Sequence, residues 1–131
     1  MKKTGILNQP VSSVVAGLGH MDTLVIADAG LPIPSETQRI DLALTEGIPS
    51  FLDTLRIVLT EMQVERAIVA EEMLDVSPQL YQAVEEMLGD VPIETTTHLM
   101  LKEWSRSARA VIRTGEFTSY ANVILVAGVV F

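Results

Sequence analysis

GLGHMDTLVIADAG, residues 17–30, is the stretch on which the fold turns. Thr23 to Ala27 is an unbroken run of β-branched and apolar residues, and Asp28-Ala29-Gly30 then breaks it. Such a run reads as a buried strand followed by a turn. His20, one of two histidines in the chain, stands just ahead of the strand, and Asp28 follows eight residues later. A strand of about five residues at roughly 3.3 Å per residue separates its ends by about 15 Å. His20 and Asp28 can therefore share one site only through a loop that folds back or through a neighbouring chain.

Upstream, Val11, Val14, Val15 and Leu18 fall at helical spacing behind Pro10, which fits a short helix. Downstream, Leu31-Pro-Ile-Pro34 is excluded from helix interior, because each proline forces its predecessor into extended geometry. Ile40 to Leu44 reads as a short strand. Ser50 to Met62 is the clearest helix, opened by Ser50 with Asp53 as a capping box and lined on one face by Phe51, Leu55, Val58, Leu59 and Met62. Arg66 to Ala70 reads as a strand, Ser77-Pro78 opens a helix stopped by Gly89, and Ile93 to Thr97 is a candidate edge strand. Leu99 to Ser107 reads as helix, Ala108 to Arg113 and Val123 to Phe131 as strands. The last two strands are joined without a helix and are candidates for antiparallel pairing. Strands alternating with helices predict an α/β domain over residues 1–131, with a largely parallel sheet flanked by helices.

Composition removes several function classes. The 131 residues carry a net charge of -8, with nine Lys and Arg scattered among seventeen Asp and Glu, which argues against nucleic-acid binding. There is no cysteine, so no disulfide, thiolate nucleophile or cysteine metal site is expected. Two histidines make a histidine-rich metal site unexpected. The amino terminus does not read as a signal peptide, and the apolar run at the carboxyl end is far shorter than the roughly 20 residues of a membrane helix. A soluble cytoplasmic protein without membrane contact is the expectation. Nucleotide, serine-hydrolase and zinc-protease motifs are absent, and neither metal nor cofactor is expected.

The remaining candidates are few. By position alone, His20 beside Gly19 suits a histidine capping the end of the preceding helix, and also a general acid/base, since imidazole titrates near pH 6.5. Asp28 lies where open parallel sheets gather ligands, at the carboxyl end of a strand, and equally suits an Asx-turn. His98 sits at a strand-to-helix junction with Lys102 one turn further on, so both could face one pocket. Glu71-Glu72, adjacent after a strand, read as a solvated pair rather than a catalytic dyad. Arg113-Thr-Gly-Glu116-Phe-Thr-Ser-Tyr120-Ala-Asn122 is the densest polar stretch. Turn formation accounts for Thr114-Gly115 better than for Glu116 and Tyr120, and its mixture of donors, acceptors and an aromatic face suits a sugar.

These residues resemble the bacterial D-ribose pyranase family, sugar mutarotases related to the fucose mutarotases. The likeness runs end to end, through Leu18-Gly-His20, Ile26-Ala-Asp28-Ala-Gly-Leu-Pro-Ile-Pro34, Gly47-Ile-Pro-Ser-Phe51, Ala70-Glu-Glu72, Thr97-His98, Ala110-Val-Ile-Arg-Thr-Gly-Glu116, Tyr120-Ala-Asn122 and Ala127-Gly-Val-Val-Phe131. It implies a ring-like homodecamer with sites at subunit contacts, and interconversion of ribopyranose and ribofuranose without cofactor. It implies His20 as the acid/base group, and Asp28, His98, Tyr120, Ala121 and Asn122 as sugar-binding positions, with Lys102 near them. The chain departs from the family at Leu99, where Glu is common, at Ser119, where Pro is common, and at Met73-Leu74, where the family commonly has Ile-Lys. Two other readings accompany this one: a non-catalytic sugar-binding module serving ribose transport, and a mutarotase for another sugar such as fucose.

Overall fold

The computed structural model describes all residues 1–131. Its centre is β1 (Thr23–Ala27), whose residues Leu24 to Ala27 have no solvent exposure. Leu24 and Ile26 enter one apolar cluster while Val25 and Ala27 enter another on the opposite face. The alternation of side chains across a pleated strand thus explains why the run is apolar without interruption: both faces of the sheet are covered. The same division holds in β3 (Val64–Ala70), β5 (Ala110–Arg113) and β6 (Val123–Ala127).

Six strands form one sheet in the order β2-β5-β1-β6-β3-β4, with β2 at Arg39–Asp41 and β4 at Ile93–Thr96 as its edges. All neighbouring pairs are parallel except those of β6, which runs antiparallel to both β1 and β3. The expected α/β class with a mostly parallel sheet is what the chain adopts.

The larger cluster lies beneath α1 (Gln9–Gly17), α2 (Phe51–Leu59), α3 (Glu71–Val76) and α4 (Pro78–Leu88), and the smaller one beneath α5 (His98–Trp104). Local chemistry sets the helix boundaries. Asn8 caps α1 by accepting from the Val11 amide, Ser50 caps α2 by accepting from Asp53 N–H, and Thr97 caps α5 through Met100 N–H, each satisfying a donor that the helix itself leaves free. Gly89, at φ +57°, ends α4.

Four sequence expectations need correction. The last two strands do not pair, because β1 lies between them; the connecting loop must therefore arch across the carboxyl end of β1. Glu71 and Glu72, read as a solvated pair, open α3, where the positive end of a helix favours carboxylates, and only Glu71 is exposed. The final strand stops at Ala127, and Val130 and Phe131 beyond it are 85% and 100% exposed. The strand expected from Ile40 to Leu44 shortens to Arg39–Asp41, paired on one side only. No helix is long and apolar enough to cross a membrane.

Candidate active site

Asp28 leaves β1 into the Asx-turn its sequence suits: its Oδ1 accepts from Gly30 N–H at 2.9 Å. Its other oxygen is held by Asn122, the last residue of the arching loop before β6. Asn122 Nδ2 donates to Asp28 Oδ2 at 2.9 Å, and Asn122 Oδ1 accepts from Asp28 N–H at 2.9 Å. Asn122 is fully buried, so this amide is satisfied by a pair of bonds that fix both the backbone and the carboxylate of Asp28. The turn and ligand roles are thus compatible, since the turn orients the carboxylate.

The arching loop is firmly seated. A β-carbon on Gly115 would lie 2.4 Å from Thr45 O and 2.6 Å from Ile48 O, so only glycine permits this backbone approach. Gly115 N–H donates to Pro49 O, and Thr114 Oγ1 donates to Ala27 O at 2.7 Å. Glu116, which turn propensity left unexplained, is a staple. One carboxylate oxygen accepts from Phe51 N–H at the start of α2, and the other from Thr118 Oγ1 at 2.8 Å. Glu116→Ala should cost about 1–3 kcal/mol, because a charged acceptor and a helix-start partner are both lost; denaturant unfolding measures it. Ser119 stands where a proline is common in the family the sequence resembles, and there its carbonyl accepts from Ser77 Oγ at 3.0 Å, tying the loop to α4.

Tyr120 adopts φ +63°, a left-handed conformation that costs a bulky residue about 1–3 kcal/mol and persists only when its surroundings impose it. Asn122 N–H, donating to Tyr120 O at 2.8 Å, is part of that imposition. The ring meets His98 edge-on, with centroids 5.0 Å apart and planes at 82°. His98 N–H donates to Glu72 Oε2 at 2.9 Å, so Glu72 anchors the first residue of α5. His98 Nδ1 is buried and has no protein partner.

Asp28, His98 and Tyr120 line one open cleft of about 530 Å³, together with Arg113, Glu116, Phe117 and the Ala29–Pro32 segment. That volume lies within the range of small-molecule sites, roughly 300–1,000 Å³. Arg113 was not singled out by sequence. It projects from the end of β5, donating through Nε to Ala29 O and through Nη1 to both Asp41 oxygens. Partial burial opposes ionisation of Asp41, yet the Arg113 guanidinium and the Ala43 amide hold its carboxyl below the ordinary range. Sequence carried one signal for Arg113, a basic residue ending the strand next to β1. Ala121 and Asn122 are buried behind the cleft, where their side chains shape it rather than line it. Lys102 faces a neighbouring groove with Pro34, Glu103 and Arg106, so it does not share the His98 cleft.

His20 lies elsewhere, beyond the amino end of β1, whereas the cleft is at the carboxyl end. It does not cap α1; Leu18 N–H donates to Val15 O there. Its Nε2 is 2.7 Å from Glu65 Oε2, both side chains being about half exposed. The turn that carries it is closed by Gly19 N–H donating to Asp22 Oδ2 at 2.8 Å and by an ion pair between Arg109 Nε and Asp22 Oδ1 at 3.0 Å. The Gly19 amide, then Arg109, hold the Asp22 carboxyl below its ordinary 3.8. A depressed folded value means the turn is fully braced above pH 3.8 and loosens as pH falls through the lower folded midpoint. The Gly19 amide resonance should accordingly titrate with a midpoint below 3.8, which acid titration by NMR measures. No cluster of three or more His, Asp or Glu side chains has a metal-ligating arrangement.

Fold and cleft describe an α/β protein whose small-molecule-sized cleft opens at the carboxyl ends of parallel strands. More narrowly, the chain belongs to the RbsD / FucU transport protein family, whose model matches residues 1–130. It is 56% identical to the D-ribose pyranase of Chloroflexus aggregans and 57% identical to that of Laribacter hongkongensis, in both cases over the whole of both chains. The structure of Bacillus subtilis RbsD complexed with D-ribose superposes with a TM-score of 0.97 at 46% identity, covering all of each chain.

Proposed function

We propose that this protein is a D-ribose pyranase, a mutarotase interconverting the pyranose and furanose forms of D-ribose. The observation that carries this reading is full-length identity above one half with proteins of that name, joined to a cleft where Asp28, His98 and Tyr120 converge. The cleft offers carboxylate, imidazole and phenol groups, a mixed set suited to hydroxyls that each donate and accept.

Opening a cyclic hemiacetal requires a proton to leave the anomeric hydroxyl and one to reach the ring oxygen. The open aldehyde recloses through the 4-hydroxyl to furanose or the 5-hydroxyl to pyranose. A single group able to accept and return a proton near pH 7 serves both directions. We assign that role to His20, and sugar binding to Asp28, His98, Tyr120, Ala121 and Asn122, the last two through backbone and buried support. Because His20 and Asp28 stand at opposite ends of β1, the complete site joins the cleft of one chain to His20 of another. A ring-like homodecamer in the cytoplasm belongs to this proposal, and exposed Phe117 in the cleft wall and Leu99 in the neighbouring groove are apolar surface available for such a contact. Proton NMR of equilibrated ribose tests the reading: folded protein should speed exchange between pyranose and furanose signals, and unchanged exchange would contradict it.

The family description speaks of transport, which keeps one rival in view, a sugar-binding module without catalysis. It predicts ribose binding with no effect on exchange, so the same spectra decide between them.

A further inference from the structure

We propose that Glu65 is the positioning residue of His20, leaving Nδ1 as the atom that exchanges protons with the sugar. This rests on the mutarotase reading of His20.

The first observation is the 2.7 Å approach of Glu65 Oε2 to His20 Nε2. An ionised carboxylate only accepts, so the proton in this contact sits on Nε2 and the Nδ1 lone pair is left for the substrate. The second observation is that the backbone is built to make the contact. On β3, Ala67 and Val69 face the larger core cluster, and unbroken alternation would send Glu65 to that same side. Instead the register against β6 shifts between Val64 and Arg66. This bulge puts Val64 into the larger cluster and releases Glu65 to solvent, a re-aiming that bulges beside active sites commonly perform.

Gly128 makes room for the bulge: a β-carbon there would lie 3.2 Å from Glu65 Cβ and 3.4 Å from Glu65 N. Gly128 N–H also donates to Gln63 O at 2.9 Å. The His20 turn is fastened to the same end of β6, through Met21 N–H to Ala127 O at 2.9 Å and Ala127 N–H to Asp22 O at 2.8 Å. Met21 takes φ +71° to allow it. Histidine and carboxylate are therefore presented from one anchoring point, Ala127-Gly128.

When Nδ1 takes the proton of the anomeric hydroxyl, the ring becomes an imidazolium whose other N–H already faces an anion. The same proton then passes to the ring oxygen, and the pair returns to its starting state. An exposed ion pair adds little to stability, so the contribution of Glu65 should appear in the rate and leave folding unaltered.

The test is ribose exchange by NMR across a double-mutant cycle of Glu65→Ala and His20→Ala. Glu65→Ala should slow exchange roughly ten- to a hundred-fold with unchanged ribose affinity and melting temperature. Added to His20→Ala it should change nothing further, because a residue acting through histidine has no effect once histidine is gone. Glu65→Gln, which keeps an acceptor without charge, should retain more activity than Glu65→Ala, and it serves as the second variant should the alanine protein fail to fold. Full activity in Glu65→Ala, or an equal loss in both backgrounds, would overturn the role of Glu65 while leaving that of His20 intact. Full activity in His20→Ala would move the proton-transfer role to another residue and overturn this proposal while leaving the mutarotase reading intact. No acceleration by the unaltered protein would overturn the mutarotase reading itself and this proposal with it.

Discussion

His20→Ala is expected to slow pyranose–furanose exchange by about 10²–10⁴-fold, the usual contribution of a positioned acid/base group, while ribose still binds. The two effects separate because His20 lies outside the cleft that holds Asp28, His98 and Tyr120. Removing the imidazole deletes the proton carrier and leaves the cleft walls untouched. The side chain is about half exposed, and its one protein partner is Glu65, so no buried group is left unpaired and the melting temperature should hold. Exchange rates from NMR, with ribose affinity from calorimetry, measure both quantities. Loss of binding in step with loss of rate would mean that His20 holds the sugar rather than moving its proton.

Asn122→Ala should show the opposite pattern, a loss of stability together with a loss of function. Asn122 is fully buried and exchanges two hydrogen bonds with Asp28, one of them to its carboxylate. A neutral bond contributes roughly 0.5–1.5 kcal/mol and one to a charged group roughly 1.5–3, so alanine should cost about 2–4 kcal/mol. The Asp28 amide would lose its acceptor, and the carboxylate would keep only its own turn partner, Gly30. Ribose affinity should fall because the Asp28 oxygens are no longer held in place. Urea unfolding and ribose titration of the same preparation check the two halves. Unaltered affinity in a destabilised protein would show that Asp28 does not touch the sugar.

Much of this was legible in the residues, and what was not has identifiable causes. β1 could be read because an apolar run ended by Asp-Ala-Gly has few alternatives, and α4 because Pro78 opens it and Gly89 ends it. Glu71-Glu72 misled, since carboxylates opening a helix and carboxylates ending a strand look alike until the backbone is seen. Strand order was hidden because pairing between β1, β5 and β6 depends on packing between residues about a hundred apart.

The site divides in the same way. Asp28 and Tyr120 could be found as polar residues at a strand end and in a turn-rich loop. Arg113 and Glu72 act through partners remote in sequence, and only the fold brings those partners near. The roughly 15 Å span of β1 was legible from the start, and the folded chain does place His20 and the cleft at its opposite ends.

That span makes complementation between chains the most direct measurement of a shared site. His20→Ala chains keep an intact cleft, and Asp28→Ala chains keep an intact histidine. Each preparation alone should be nearly inactive. Unfolded together and refolded as mixed assemblies, they should recover about one quarter of the unaltered rate, the share of sites that draw both good halves when chains combine at random. Mixed assemblies of confirmed composition that remain inactive, or an unaltered protein that accelerates ribose exchange as a monomer, would contradict the account.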